Sequence, residues 1–306
     1  MIAILNIDWQ TLADALALGG IYALMAVGIG LVFGVLRIVN FAYGQLIMAG
    51  AYTLALTNGW NPALSIAACF AVVIGLTAAM DVVVFRPLRR AEPATMLIAT
   101  FAVSLLLYYI ALLKFTVLGK TVGTLTGLNR PIGDGELIVR WIWVVDVITA
   151  AIALGALLAL LTRTRLGLHM RAAATDFRTA RMLGVRANRT ILVAVVLSGV
   201  LAAVVAVLMT AETPYVTPDY ALRDTIIVLV GVVVGGLDRL WTAALGGFAI
   251  GFASQALAGF LPSTGSWPFT SGVYLDSAVF ALVILTLLLR PDGLFVRRGR
   301  RPVERV

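Results

Sequence analysis

Long apolar runs separated by short polar breaks dominate the chain, at residues 12–36, 41–57, 62–85, 94–113, 142–161, 190–211, 242–260 and 273–289. Each approaches the ~20 residues that a helix needs to cross a hydrocarbon core ~30 Å thick. A further run, 225–237, extends only about 20 Å as a helix at ~1.5 Å per residue, short for a crossing. The pattern predicts an all-α polytopic membrane protein of eight to nine transmembrane helices in one glycine-rich bundle. With little chain left over, residues 1–306 read as a single transmembrane domain containing one long charged loop, 162–189.

Composition agrees with the pattern. Of the 306 residues 61% are hydrophobic and 12% charged, and the mean hydropathy is +1.02, more than the polar surface of a soluble domain permits. The first run is too long for a signal peptide and no basic segment precedes it, so it reads as a retained span. The single cysteine, Cys69, has no partner within the chain and reads as packing.

The net charge of +8 would suggest nucleic acid in a soluble protein, but its distribution gives it another meaning. Sixteen of the 23 Lys and Arg fall in three clusters: Arg86, Arg89 and Arg90; seven arginines between Arg163 and Arg189; and six between Arg290 and Arg305. Short cytoplasmic loops are rich in basic residues, so these clusters are expected inside. Parity then requires 225–237 to cross, giving nine crossings, an outer N-terminus and a cytoplasmic C-terminus. Asp134, Glu136, Glu212 and Asp219 fall in outer loops, and residues 114–141, punctuated by Gly and Pro, form an irregular cap.

Polar residues interrupt the pattern most sharply between Gly34 and Tyr52, where Arg37, Asn40 and Gln45 lie between apolar runs. An arginine facing lipid costs roughly 2.5–3.5 kcal/mol at mid-membrane, so these side chains must face something else. The charge count puts Arg37 at the cytoplasmic end of the first span. Tyr22, Asn40, Phe41, Tyr43 and Gln45 are the candidates for lining a polar path; for Asn40, an interhelical hydrogen bond that fixes packing is the equal alternative.

Small residues recur every fourth position at Ala26, Gly30 and Gly34, at Gly231 and Gly235, and at Gly247 and Gly251, where helices can approach closely. Bundle packing is the simplest reading. Gly30, Gly34 and Gly50 also share their spacing with Gly231, Gly235 and Gly251, a faint echo of duplicated halves.

Within the charged loop, Asp176 is placed as an N-cap, residues 177–183 as a short exposed helix and Gly184 as its C-terminal stop. Phe177, Ala180, Met182 and Leu183 give that helix apolar members that a purely solvated loop would not need. A partner's groove and a lipid-facing basic surface both accommodate it.

There is no phosphate loop, His-Glu-x-x-His or paired-cysteine motif. The chain is therefore not expected to be an enzyme, to hold a cofactor or metal, or to hydrolyse ATP. His169 reads as a surface residue. Asp81, Asp146 and Asp276 lie near the ends of predicted spans, leaving few acids deep in the membrane and little sign of proton coupling.

Several segments resemble the LivH-type permease subunits of branched-chain amino acid ABC importers. They are Gly20 to Leu24, Gly34 to Gly44, Met48 to Tyr52, Met170 to Ala174, Ala180 to Gly184, Gly235 to Leu237, Ala243 to Gly247 and Leu289 to Phe295, in the family's order over nearly the whole chain. The resemblance implies a bacterial inner-membrane importer subunit. Its partners would be a second related permease, two cytoplasmic ATPase subunits that bind ATP and Mg, and an extracytoplasmic solute-binding protein, with lipid around and no nucleic acid. It also implies that Arg171, Ala172, Ala173, Asp176, Phe177, Ala180, Arg181, Leu183 and Gly184 couple to the ATPase. Tyr43 stands where the family commonly has His, and Gln45 where an acid is frequent. Asp238 and Arg239 replace the Gly and Pro of a usual turn. These departures leave urea, a short amide or another small solute open as cargo, and a stand-alone carrier or channel is the alternative of a different class.

Overall fold

The computed structural model describes residues 9–89, 91–132, 139–175, 182, 187–236, 239–260, 281 and 288. The helices are α1 Trp9–Leu36, α2 Tyr43–Leu56, α3 Pro62–Met80, α4 Pro93–Phe115, α5 Trp141–Arg163, α6 Arg165–Thr175, α7 Ala187–Glu212, α8 Leu222–Gly235 and α9 Leu240–Phe260. Two-residue strands β1 Lys120–Thr121 and β4 Tyr215–Val216 pair antiparallel, as do β2 Pro131–Ile132 and β3 Val139–Arg140. The all-α expectation holds, and of the cap expected at 114–141 the described residues between the helices, 116–132 and 139–140, carry only short strands and one 3-10 turn, Thr126–Asn129.

Among the described residues six helices are long and apolar enough to cross a membrane: Gln10–Leu36, Pro62–Leu88, Pro93–Phe115, Trp141–Arg163, Asn188–Glu212 and Leu240–Ala258. The predicted runs 41–57 and 225–237 appear as the 14-residue helices α2 and α8, each about 21 Å long. The run 273–289 lies almost wholly outside the described residues, as does the helix expected at 177–183. The preceding segment, left as loop by its charge, is instead the helix α6.

Local chemistry sets the boundaries. Asn61 caps α3, its Oδ1 accepting the Ala63 N–H at 3.0 Å, and Pro62 fills the first helical position, where no N–H is required. α3 continues through a π-helical turn, Asp81–Phe85, into a last turn, Arg86–Leu88. Pro87 lies just beyond the wide turn; its missing N–H and its ring would break a regular α ladder there. α1 ends where Arg37 adopts φ 56° and donates its N–H to the Phe33 carbonyl at 2.7 Å, a left-handed stop made without glycine.

α1 is the axis of the bundle. Its apolar window is 83% buried, against 22% for α4 and for α5, whose Phe101, Leu106, Ile110, Ile148 and Ile152 point outward. α1 packs against α9, α7, α5 and α8. The small-residue stripes are those contacts: Gly247 meets Ala26 and Tyr22, Gly251 meets Gly19, and Gly246 lies on the Gly231 and Gly235 backbone, where a Cβ would collide. Gly34, included in the predicted stripe, has no neighbour that a Cβ would meet.

Long-range contacts sort the connections into two ends. β1 with β4, and Asp14 with Gln255, belong to one, here the carboxylate end. The Arg37 guanidinium donates to the Ala174 carbonyl at 2.8 Å and Arg89 hydrogen-bonds Asn188 at the other, the arginine end.

Candidate translocation site

α2 begins buried in the bundle, and α8 begins beside α1 with Arg223 exposed and Asp224 half-buried. Tyr22, halfway along α1, donates its hydroxyl proton to Asp224 Oδ1 at 2.6 Å, and Asp224 is in the first turn of α8. The first turn of α2 meets the same place, because a Cβ on Gly44 would strike Thr225 Oγ1 and the Ala221 carbonyl. The starts of α2 and α8, with their positive dipole ends, therefore lie against each other beside α1, while the Tyr43, Gln45, Leu222 and Thr225 N–H groups are taken up by local backbone carbonyls. Paired short helices starting inside a bundle are a known way to build a solute site from backbone.

The residues expected to line a path are spread around this junction. Tyr43 is fully buried, packed on Gly28, and its hydroxyl finds no hydrogen-bond partner. Gln45, 1% exposed, has an unpartnered Oε1. Asn40 is buried and its Oδ1 accepts the Ala42 N–H at 3.0 Å, so its side chain shapes the turn that starts α2. Phe41 is partly exposed, lies edge-on to Phe101 with centroids 6.3 Å apart, and donates its N–H to Thr100 Oγ1 at 3.4 Å. Tyr22, Tyr43 and Gln45 thus cluster at the helix starts, while Asn40 and Phe41 hold the approach.

At the arginine end, Arg171, Ala172 and Ala173 occupy the last turns of α6, with Ala173 buried and Arg171 exposed. Asp176, Phe177, Ala180, Arg181, Leu183 and Gly184 lie outside the described residues. Arg37 bonds to a carbonyl in the final turn of α6, where a cation suits the negative helix end. That contact connects the break between α1 and α2 to the helix leading into the charged loop. The Asp81 carboxylate, fully buried, accepts from Arg86 Nε at 3.1 Å and from Arg89 at 2.8 Å.

The sequence reading missed an acidic group in the carboxylate half. Asp146 in α5 is fully buried with both oxygens unpartnered, and lies within electrostatic reach of Glu212 at the end of α7. Glu212 in turn is within reach of Asp14, Asp224 and Arg140. Gln255 Nε2 donates to Asp14 Oδ2 at 3.3 Å, and the Arg140 guanidinium sits 5.6 Å from the Trp143 ring centre. These acids come from four helices far apart in the chain; the only local sign was a carboxylate, such as Asp146, set in an apolar run.

The family described as branched-chain amino acid transport system / permease component matches residues 11–288. The high-affinity branched-chain amino acid transport system permease protein BraD of Pseudomonas aeruginosa is 29% identical, over 97% of each chain. Its counterpart LivH of Escherichia coli K12 is 27% identical, again over 97% of each. Among solved structures, an inward-facing one assigned to a metal-chelate type ABC transporter aligns with TM-score 0.54 at 17% identity, covering 93% of this chain and 89% of that one. PsaBC from Streptococcus pneumoniae, in complex with Fab, aligns with TM-score 0.52 at 12% identity, covering 94% and 95%. At these identities the structural likeness concerns the fold.

Proposed function

Because the chain belongs to the permease-component family of branched-chain amino acid transport systems, we propose that it forms half of the path of a binding-protein-dependent ABC importer, carrying branched-chain or related amino acids. The observation that carries this reading is the meeting of the α2 and α8 starts beside Tyr22, with the buried Tyr43 hydroxyl and Gln45 amide close by. The Tyr43 hydroxyl and the Gln45 Oε1 are buried polar atoms that a solute could satisfy, and Tyr22, Asn40, Phe41, Tyr43 and Gln45 form or approach the lining. The whole chain acts as one membrane domain.

The remaining parts are a second related permease, two cytoplasmic ATPase subunits that bind ATP and Mg, and an extracytoplasmic binding protein. The chain sits in the bacterial inner membrane with the arginine end cytoplasmic, the N-terminus outside and the C-terminus inside, as the basic clusters favour. Loop 162–189 docks on the ATPase through Arg171, Ala172, Ala173, Asp176, Phe177, Ala180, Arg181, Leu183 and Gly184. The Arg37–Ala174 bond supports a direct mechanical connection from that loop to the α1–α2 break. Replacing Phe177 and Leu183 with Ala should leave membrane insertion intact and uncouple ATP hydrolysis from uptake; normal uptake in that variant would remove the docking assignment.

A urea or short-amide cargo is the second reading. It is favoured by the unpartnered Gln45 amide oxygen, which suits a solute N–H. Uptake of labelled leucine against labelled urea by the assembled importer separates the two.

A further inference from the structure

We propose that the turn Thr116–Gly119, with Lys114 and Lys120 on either side of it, binds an anionic phospholipid in the leaflet at the carboxylate end. The two ammoniums hold the headgroup phosphate, and Val117 and Leu118 enter the acyl region beneath it. The proposal requires α4 to span the membrane and does not depend on the cargo.

The turn holds its apolar residues away from the protein. Thr116 ends α4 at φ 63°, its N–H donated to the Leu112 carbonyl at 2.9 Å, and Gly119 has φ 60°. Left-handed backbone suits glycine but strains a β-branched threonine, so the surroundings must keep the turn in place. Gly119 lies on the Val216 carbonyl and the Tyr215 ring, and the Tyr215 hydroxyl donates to the Leu118 carbonyl. β1 pairs with β4 directly afterwards. Val117 and Leu118 are left 75% and 80% exposed at a tip where polar residues are usual. They continue the outward stripe of Leu106, Ile110 and Leu113 on α4. At 23 residues, α4 is about 35 Å long against a hydrocarbon core of ~30 Å, which puts its end and this turn at headgroup level. That continuity identifies lipid as what covers the tip.

The charges identify the headgroup. The Lys114 and Lys120 ammoniums lie 5.9 and 5.2 Å from the centre of one ring, that of Phe115, which is fixed by Tyr52 stacked on it at 4.2 Å. Like charges gathered at one ring repel each other. Among the described residues neither lysine pairs with a carboxylate; the ion pairs are those of Asp81 at the opposite end. A phosphodiester brings one negative charge and two free oxygens, so it can accept from both ammoniums at once. The lysine stems lie along apolar surface while their heads reach the phosphate. A zwitterionic headgroup would add its own cation beside the two lysines, so the site favours a lipid of net negative charge.

The test titrates the delipidated complex of both permeases with their ATPases, in detergent, and follows its thermal midpoint. The probes are dioleoylphosphatidylglycerol, dioleoylphosphatidylcholine with the same chains, and glycerophosphoglycerol, the anionic headgroup without chains. Phosphatidylglycerol should raise the wild-type midpoint at lower concentration than phosphatidylcholine, and glycerophosphoglycerol should leave it unchanged. Replacing both Lys114→Gln and Lys120→Gln should weaken the apparent phosphatidylglycerol affinity about thirtyfold, as two lysines near an anionic lipid surface imply, and abolish the preference over phosphatidylcholine. Replacing Val117→Ser and Leu118→Ser should weaken both lipids alike. These side chains are exposed, so neither variant removes a packed core group. Equal phosphatidylglycerol affinity in the wild type and the lysine variant overturns the proposal. So does protection by the chain-free headgroup, which would make this a site for a soluble anion. A lysine variant that keeps its lipid affinity and loses the external binding protein overturns it as well, and makes the turn a protein-docking surface.

Discussion

Asp81 and Asp146 are buried equally, and they differ in everything else. At the arginine end, Asp81 sits at the π-helical turn of α3 and is clamped by Arg86 and Arg89, with Arg89 also reaching Asn188 in α7. At the carboxylate end, Asp146 has no hydrogen-bond partner on either oxygen and lies within electrostatic reach of Glu212. A paired buried charge fixes helices to one another, and losing one partner leaves the other stranded. An unpaired one ties no helices together. Burial alone does not distinguish structure from function; the count of donors around the carboxylate does.

The comparison can be broken by removing partners from each end. Arg89→Ala should cost the most, about 3 kcal/mol, because it strips the shorter of the two contacts from a fully buried Asp81. A thermal-unfolding midpoint close to wild type in that variant would mean that the clamp holds nothing. Tyr22→Phe should cost about 1–3 kcal/mol by removing a donor from Asp224 between α1 and α8, and it should also weaken uptake. Asp146→Asn should change stability by less than about 0.5 kcal/mol or raise it slightly in the same thermal-unfolding measurement, since no protein hydrogen bond is lost. Large destabilisation there would show that Asp146 is a structural group like Asp81.

Much of the architecture is legible in the chain. The apolar runs give α1, α3, α4, α5, α7 and α9, and the run 225–237 is already short for a span, whereas 41–57 reads as a span and is instead the 14-residue helix α2. Parity of the basic clusters requires 225–237 to cross, whereas α8 has 14 residues, begins beside Tyr22 halfway along α1 and leads toward Thr242 at the start of α9. Tyr22, Tyr43 and Gln45 were readable as candidates because polar groups in apolar runs need a reason. The turn role of Asn40 is local too, a two-residue hydrogen bond.

Two things were not legible, for separate reasons. α6 has a low mean hydropathy and a charge density that hide it among loops; its Met170 and Ala173 become buried only because the bundle offers them a surface. The acidic group depends on tertiary assembly. Asp14, Asp146, Glu212 and Asp224 each sit near a helix end, where a single carboxylate needs no explanation, and only the packing of α1, α5, α7 and α8 brings the other three within electrostatic reach of Glu212.

The most direct measurement is labelled leucine uptake into proteoliposomes, comparing this chain alone with the chain assembled with its second permease, ATPase subunits, external binding protein and internal ATP. Uptake should appear only in the complete system and stop when ATP is replaced by a non-hydrolysable analogue. Leucine flux through the chain alone, without ATP or partners, would contradict the assignment and make it a carrier or channel in its own right.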